Sequence, residues 1–350
     1  MKTFLRNAAM LVAFAAACQA SLALAEDFQW VSGGSSVAAN KDNKAAGDKD
    51  AVFSGVCDGN CCDNDCKMFG GCDCDPSFGV IGQFGFDAFK GAGDGMFQDN
   101  FGVVSGLNAA MPVPWLSEYG IGWQAGMTYG VYDFDGRATS YDSAAETQQQ
   151  IFITTGFFRK AREGQRFTGG IVYDWMLNTN AGYQALDPTF GQWRGQVEFA
   201  LSETNGIGVY GTLRDQRAKY YGYTIARPIN QANLFWHHKF CSGADSWLWF
   251  GFPEQDRLNN DGSLYDWLLG ASVQVPLSER LALYGNAQYV HPSSVAGTTA
   301  STECAWNVGA GIAWYFGGHA VSHSLNGKCW MPYMPVANNS TFLVDPLTQP

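Results

Sequence analysis

The chain has no apolar run, beyond its first 25 residues, that approaches the ~18 residues a spanning helix needs, so no helical membrane anchor is expected. Charge is scarce as well. Charged residues make up 15% of the 350, where a soluble domain carries about a quarter. Basic residues are the scarcer sign, 21 Lys and Arg against 32 Asp and Glu, which argues against nucleic acid as a partner. No G-x-S-x-G, H-E-x-x-H or phosphate-loop pattern occurs, and none of the five histidines stands in a nucleophile-and-base arrangement. Ten cysteines are present, yet none is spaced C-x-x-C as a zinc site would require.

Glycine is plentiful, with 42 residues, and aromatics reach 15%. Between Phe78 and Phe316 they are arranged as twelve short stretches in which apolar residues alternate with small or polar ones. From Tyr119 to Asp133 the residues Ile121, Trp123, Ala125, Met127, Tyr129 and Val131 share one face, while Gln124, Thr128 and four glycines share the other. A period of two is that of a strand. Trp193, Val197 and Phe199 oppose Arg194, Gln196 and Glu198, and a face holding both charge signs does not suit an ordinary packed core. Lipid outside and water inside accommodate both faces. The same pattern sets Tyr265, Trp267 and Leu269 against Asp266, and Trp306, Val308 and Ile312 against Asn307.

The connectors alternate in length. Long ones fall at 90–100, 134–147, 179–191, 215–230, 254–263 and 291–303, and short ones at 113–118, 159–165, 203–205, 240–245 and 276–280. Even strand number, short periplasmic turns and long outer loops mark an outer-membrane barrel. The expected fold is therefore all-β, an antiparallel transmembrane β-barrel of about 12 strands over 77–316, preceded by an irregular cysteine-rich segment and followed by an extended tail at 317–350 on the periplasmic side. Trp123, Trp175, Trp236, Trp247, Trp249 and Trp314 sit where strands end and read as interfacial girdles.

Residues 1–25 read as a signal peptide, with Lys2 and Arg6, an apolar stretch from Ala8 to Ala17, and Ala23-Leu24-Ala25 as the cleavage site. Cleavage before Cys18 as a lipoprotein is the lesser alternative, because no Leu stands where a lipobox wants one. Residues 26–56 read as a flexible linker and 57–76 as a cysteine-rich segment. There Cys57, Cys61, Cys62, Cys66, Cys72 and Cys74 are interleaved with aspartates, and an exported chain favours disulfides over a bound metal. No cofactor or metal is called for.

A pore lining is predicted from the inward positions: Gln124, Asp174, Arg194, Gln196, Glu198, Arg214, Gln231, Asn233, Asp266 and Gln288, with Gln83, Asp87, Asn108, Thr128, Gln274, Asn286 and Asn307 beside them. Asp174 and Glu198 are expected to be balanced by Arg194 and Arg214. His237 falls inward and His238 outward, a pattern that suits lumen polarity better than catalysis.

The signal peptide, the Cys-Gly-Asp-rich segment, the glycine-rich aromatic strands and the ending Trp330-Met331-Pro332-Tyr333-Met334-Pro335-Val336, followed by Phe342-Leu343-Val344-Asp345, resemble the β-barrel porin families of planctomycete-type bacteria, most of which have no established function. The resemblance implies an outer-membrane location. Trp314-Tyr315-Phe316 resembles the aromatic signal that assembly machinery reads at the end of a last strand, although it lies 34 residues before the terminus. A narrow passive pore for small solutes or a structural envelope protein, embedded in outer-membrane lipids and without catalytic residues, is the expected function; an outer-membrane hydrolase with a rim site and a soluble adhesin-like β-protein are the alternatives.

Overall fold

The computed structural model describes residues 78–90, 99–138, 145–161, 165–181, 187–202, 204–220, 223–240, 242–254, 265–293, 304–318, 320 and 330–346. The expected signal peptide, linker and cysteine-rich segment lie outside these residues. Period-two sequence becomes strand: β1 (Gly79–Lys90), β2 (Asn100–Pro112), β3 (Ile121–Ala138), β4 (Ala145–Arg159), β5 (Phe167–Thr179), β6 (Thr189–Ala200), β7 (Asn205–Gln216), β8 (Ala218–Tyr220), β9 (Tyr223–Pro228), β10 (Gln231–Lys239), β11 (Asp245–Pro253), β12 (Tyr265–Pro276), β13 (Leu281–Pro292), β14 (Ala305–Phe316) and β15 (Val344–Pro346). All but β8, β9 and β15 form one closed antiparallel barrel of twelve strands, as the alternation predicts. Closure is made by β1 on β14, from Val80 opposite Phe316 to Lys90 opposite Trp306, so the barrel has no open edge.

The alternation sorts the side chains as a membrane wall requires. Phe84, Leu107, Met127, Ile171, Val209 and Leu213 stand exposed on the outer wall, Leu213 at 66%. Between them on the strands lie Gln124, Asp174, Arg194, Glu198, Asn233 and Gln288, all buried inside. Short turns are tight. The β10–β11 turn closes with the Phe240 N–H donating to the Ala244 carbonyl at 2.8 Å, and its Gly243 adopts a φ of 77° that a side chain would strain.

Three features depart from the expected pattern. A β-bulge between Tyr265 and Trp267 shifts the β12 register, so Tyr265 turns inward and Asp266 joins Trp267 on the outer side. One inserted residue inverts the faces around it. Trp247 and Trp249, expected in a girdle, face the lumen instead: Trp247 stacks on His237 with ring centroids 4.3 Å apart, and the Trp249 indole N–H donates to Gln288 at 3.1 Å. The long connector after β7 carries the β8–β9 hairpin, which forms a separate three-stranded sheet with β15.

Candidate functional site

The pairing of β15 with β9 places the end of the chain at the long-loop mouth, whereas β14 ends at the opposite, short-turn mouth. The tail connects the two through the lumen. This corrects the expectation of a periplasmic tail: residues 330–346 run inside the barrel from one mouth to the other. Trp330 stands near Phe158 and Met331 packs with Ile81 and Tyr315 at the short-turn mouth. Phe342 and Val344 join Phe152, Met176 and Phe190, and Leu343 joins Ile229, Leu268 and Val290, at the long-loop mouth.

An extended segment outside a sheet leaves its backbone N–H and C=O groups without a ladder, and buried groups of this kind need partners. The lumen side chains supply them. Gln124 acts as a strand substitute: its Oε1 accepts from the N–H groups of Tyr333 and Met334 at 3.1 and 3.0 Å, and its Nε2 donates to the Met334 carbonyl at 2.7 Å. An amide side chain carries both donor and acceptor, which is why Gln and Asn suit this task. Asn108 donates to the same carbonyl, Arg194 to that of Pro335, and Gln288 to that of Ser340. Gln192 and Gln231 both donate to the Thr341 carbonyl, at 2.9 and 3.2 Å. The Ala337 N–H donates to Thr154 Oγ1 at 2.9 Å.

Tail side chains are held too. Asn339 donates to Asp87 and Gln150, both at 2.9 Å, and Gln196 donates to the Tyr333 hydroxyl at 3.0 Å. Two wall glycines make room for this approach. A Cβ on Gly126 would lie 2.5 Å from Val336 Cγ2, and one on Gly170 would lie 3.0 Å from Met334 Sδ.

The charged residues settle into closed sets. Arg194 grips Asp174 through Nε at 2.7 Å and Nη2 at 3.0 Å. Arg214 does not serve Glu198 as expected; it forms a two-point pair with Glu254. Glu198 turns to His237 instead, 2.6 Å from Nδ1, and Asp245 lies 3.3 Å from Nε2. With both ring nitrogens committed to carboxylates, His237 has none left to activate a nucleophile. Asp266 stands outside this constellation, 3.9 Å from His291. Gln231, Asn233 and Gln288 line the wall, and Asn233 buries both of its amide atoms without a hydrogen-bond partner among the described residues.

Beside the tail a cavity of about 260 Å³ remains, lined by Arg194, Glu198, Tyr210, His237 and Trp247 of the wall and by Tyr333 of the tail. The apolar clusters at the two mouths flank it.

The signal for the tail was its composition. A solvated segment has little use for Met331, Met334, Val336, Phe342, Leu343 and Val344, and burying each contributes roughly 1.5–3 kcal/mol, so they mark a segment that packs.

Residues 81–344 match the model of a family of unknown function, DUF6666, and the matched span takes in the tail as far as Val344. No curated protein matches. Among solved structures, the KdgM porin aligns at 8% identity over 68% of this chain and 99% of its own, with a TM-score of 0.39. A mutant of the TodX monoaromatic hydrocarbon channel aligns at 9% identity over 68% and 89%, with a TM-score of 0.40. The Salmonella typhi outer membrane phospholipase dimer aligns at 10% identity over 67% and 90%, with a TM-score of 0.38.

Proposed function

The chain belongs to the DUF6666 family, whose function is unknown, and on the geometry of its own lumen we propose that it is an outer-membrane β-barrel held shut by its C-terminal tail, an envelope protein that conducts no solute in this state. One observation carries the membrane half of this reading: the closed ladder exposes Phe84, Leu107, Met127, Ile171, Val209 and Leu213 on its outer wall and buries Asp87, Asp174, Arg194 and Glu198 inside. A soluble secreted β-protein does the reverse, because water outside penalises such a wall. The threaded tail carries the other half. A passive pore needs a continuous wet path, and here the side chains that would line it are hydrogen-bonded to a peptide instead.

The hydrolase alternative draws no support from His237, whose ring is held between Glu198 and Asp245. Export by residues 1–25 and assembly directed by Trp314-Tyr315-Phe316 accord with the same location. The test is fractionation of the expressed protein. It should remain with outer membranes through carbonate extraction and migrate at a different gel position when unheated, because a closed ladder resists detergent. Release by carbonate would refute the membrane reading.

A further inference from the structure

We propose that the outer wall carries a binding site for the phosphate of an anionic phospholipid, built around Arg159 where the wall meets the short-turn mouth; this rests on the membrane reading above. Arg159 is the last residue of β4 and stands opposite Ile121, with Phe157 exposed on the same face two residues before it. An outward arginine at that point lies where hydrocarbon gives way to headgroups.

Its guanidinium is fixed in place. Nε donates to the Tyr119 carbonyl at 3.3 Å, Nη2 donates to Gln165 Oε1 at 2.8 Å, and the carbon between them lies 5.9 Å from the centre of the Phe167 ring. A guanidinium carries five N–H groups, and those two contacts leave the rest, including both on Nη1, without a partner among the described residues. Among the described residues no carboxylate pairs with it: Glu118, in the neighbouring turn, forms no ion pair with it. Arg166, exposed and next to Phe167 in sequence, adds a second cation.

The turn whose Tyr119 carbonyl holds Arg159 also presents aromatic surface. Trp115 is 91% exposed, and Leu116 and Tyr119 are exposed beside it in the chain. Trp115 adopts a φ of 65°, a left-handed conformation that strains a bulky residue and that the turn maintains through the Leu116 N–H to Val113 carbonyl bond of 3.1 Å. Trp and Tyr settle at headgroup depth, and a planar guanidinium with parallel free N–H groups matches a phosphate's oxygens. A rigid cation beside the Phe167 ring, with the exposed Phe157 next to it on the same face, fits an acyl chain lying along Phe157 with its phosphate at Arg159.

The test is native mass spectrometry of the refolded full chain titrated with phosphatidylglycerol or with phosphatidylcholine of the same acyl chains. Phosphatidylglycerol should bind more tightly, and Arg159→Gln should raise its apparent dissociation constant about fivefold, the effect of one basic side chain at a membrane surface. Arg166→Gln should weaken it less, and Lys90→Gln at the opposite mouth should change nothing. Competition by water-soluble glycerophosphoglycerol at equal concentration would assign the site to a free phosphate and overturn the lipid. Equal affinity for the two lipids, or an unchanged constant in Arg159→Gln, would overturn the site alone. Absence of any lipid adduct on the native chain would instead overturn the membrane reading and the site with it.

Discussion

Replacing Gln124 with Leu should loosen the tail while leaving the barrel intact. The side chain is fully buried and projects into the lumen, so a leucine of similar length keeps the volume, and the β3 ladder does not involve it. The change removes three hydrogen bonds to the tail. The Met334 carbonyl keeps its bond from Asn108 at 3.0 Å, but the N–H groups of Tyr333 and Met334 lose the acceptor they share. A buried donor left unmade costs about 1–3 kcal/mol, so two of them weaken the seating of the tail by about 2–6 kcal/mol. The lower bound corresponds to about a 30-fold rise in the open population. Amide exchange followed by mass spectrometry in micelles should show that rise for the peptide containing Tyr333 and Met334, with exchange in β1 to β6 unchanged. Unaltered exchange in that peptide would show that Gln124 does not hold the tail.

Arginine in place of outward Val197 should cost about 2–4 kcal/mol of folding free energy if that side chain faces mid-membrane lipid, as read from urea titration in bilayers, whereas Gln196→Arg on the lumen side should be milder. Asp174→Asn leaves the buried Arg194 without its carboxylate and should cost about 3–5 kcal/mol in the same titration; a loss below 1 kcal/mol would mean the pair is dispensable. Lys160, in the turn after β4, has its ammonium pushed down to about 7 by burial first and by the charge of Lys239 second. The unfolded chain therefore binds the extra proton between that value and the ordinary 10.5, so stability should rise with pH across this window and level off above it. Lys160→Met should flatten that rise in a series of urea midpoints; an unchanged slope would assign it to other groups.

The strands were legible because a wall between lipid and lumen imposes a strict period of two, and Trp193, Val197 and Phe199 could fall only on the face opposite Arg194 and Glu198. What escaped the pattern depends on local geometry or on distant contact. The bulge at Tyr265 and Trp267 inserts one residue without altering composition, so the face of Asp266 could not be read from alternation. Trp247 and Trp249 lie on a strand with aromatics on both faces, where type alone does not choose between lipid and lumen. The partner of Glu198 was misassigned because charge balance suggested Arg214, while the β6–β7–β10 register brings His237 alongside. The tail was missed for a different reason. It obeys no strand period, its prolines suggest a linker, and the groups that hold it lie from some 30 to some 250 residues away in sequence.

The most direct measurement is the conductance of single refolded barrels in a planar bilayer, comparing the full chain with a form ending at residue 329. The full chain should show no steady conductance, and the shortened form should conduct, because removing residues 330–350 leaves a twelve-stranded barrel lined by the freed Gln124, Arg194 and Gln288. Equal conductance in both forms would contradict the account, since current would then pass without displacing the tail.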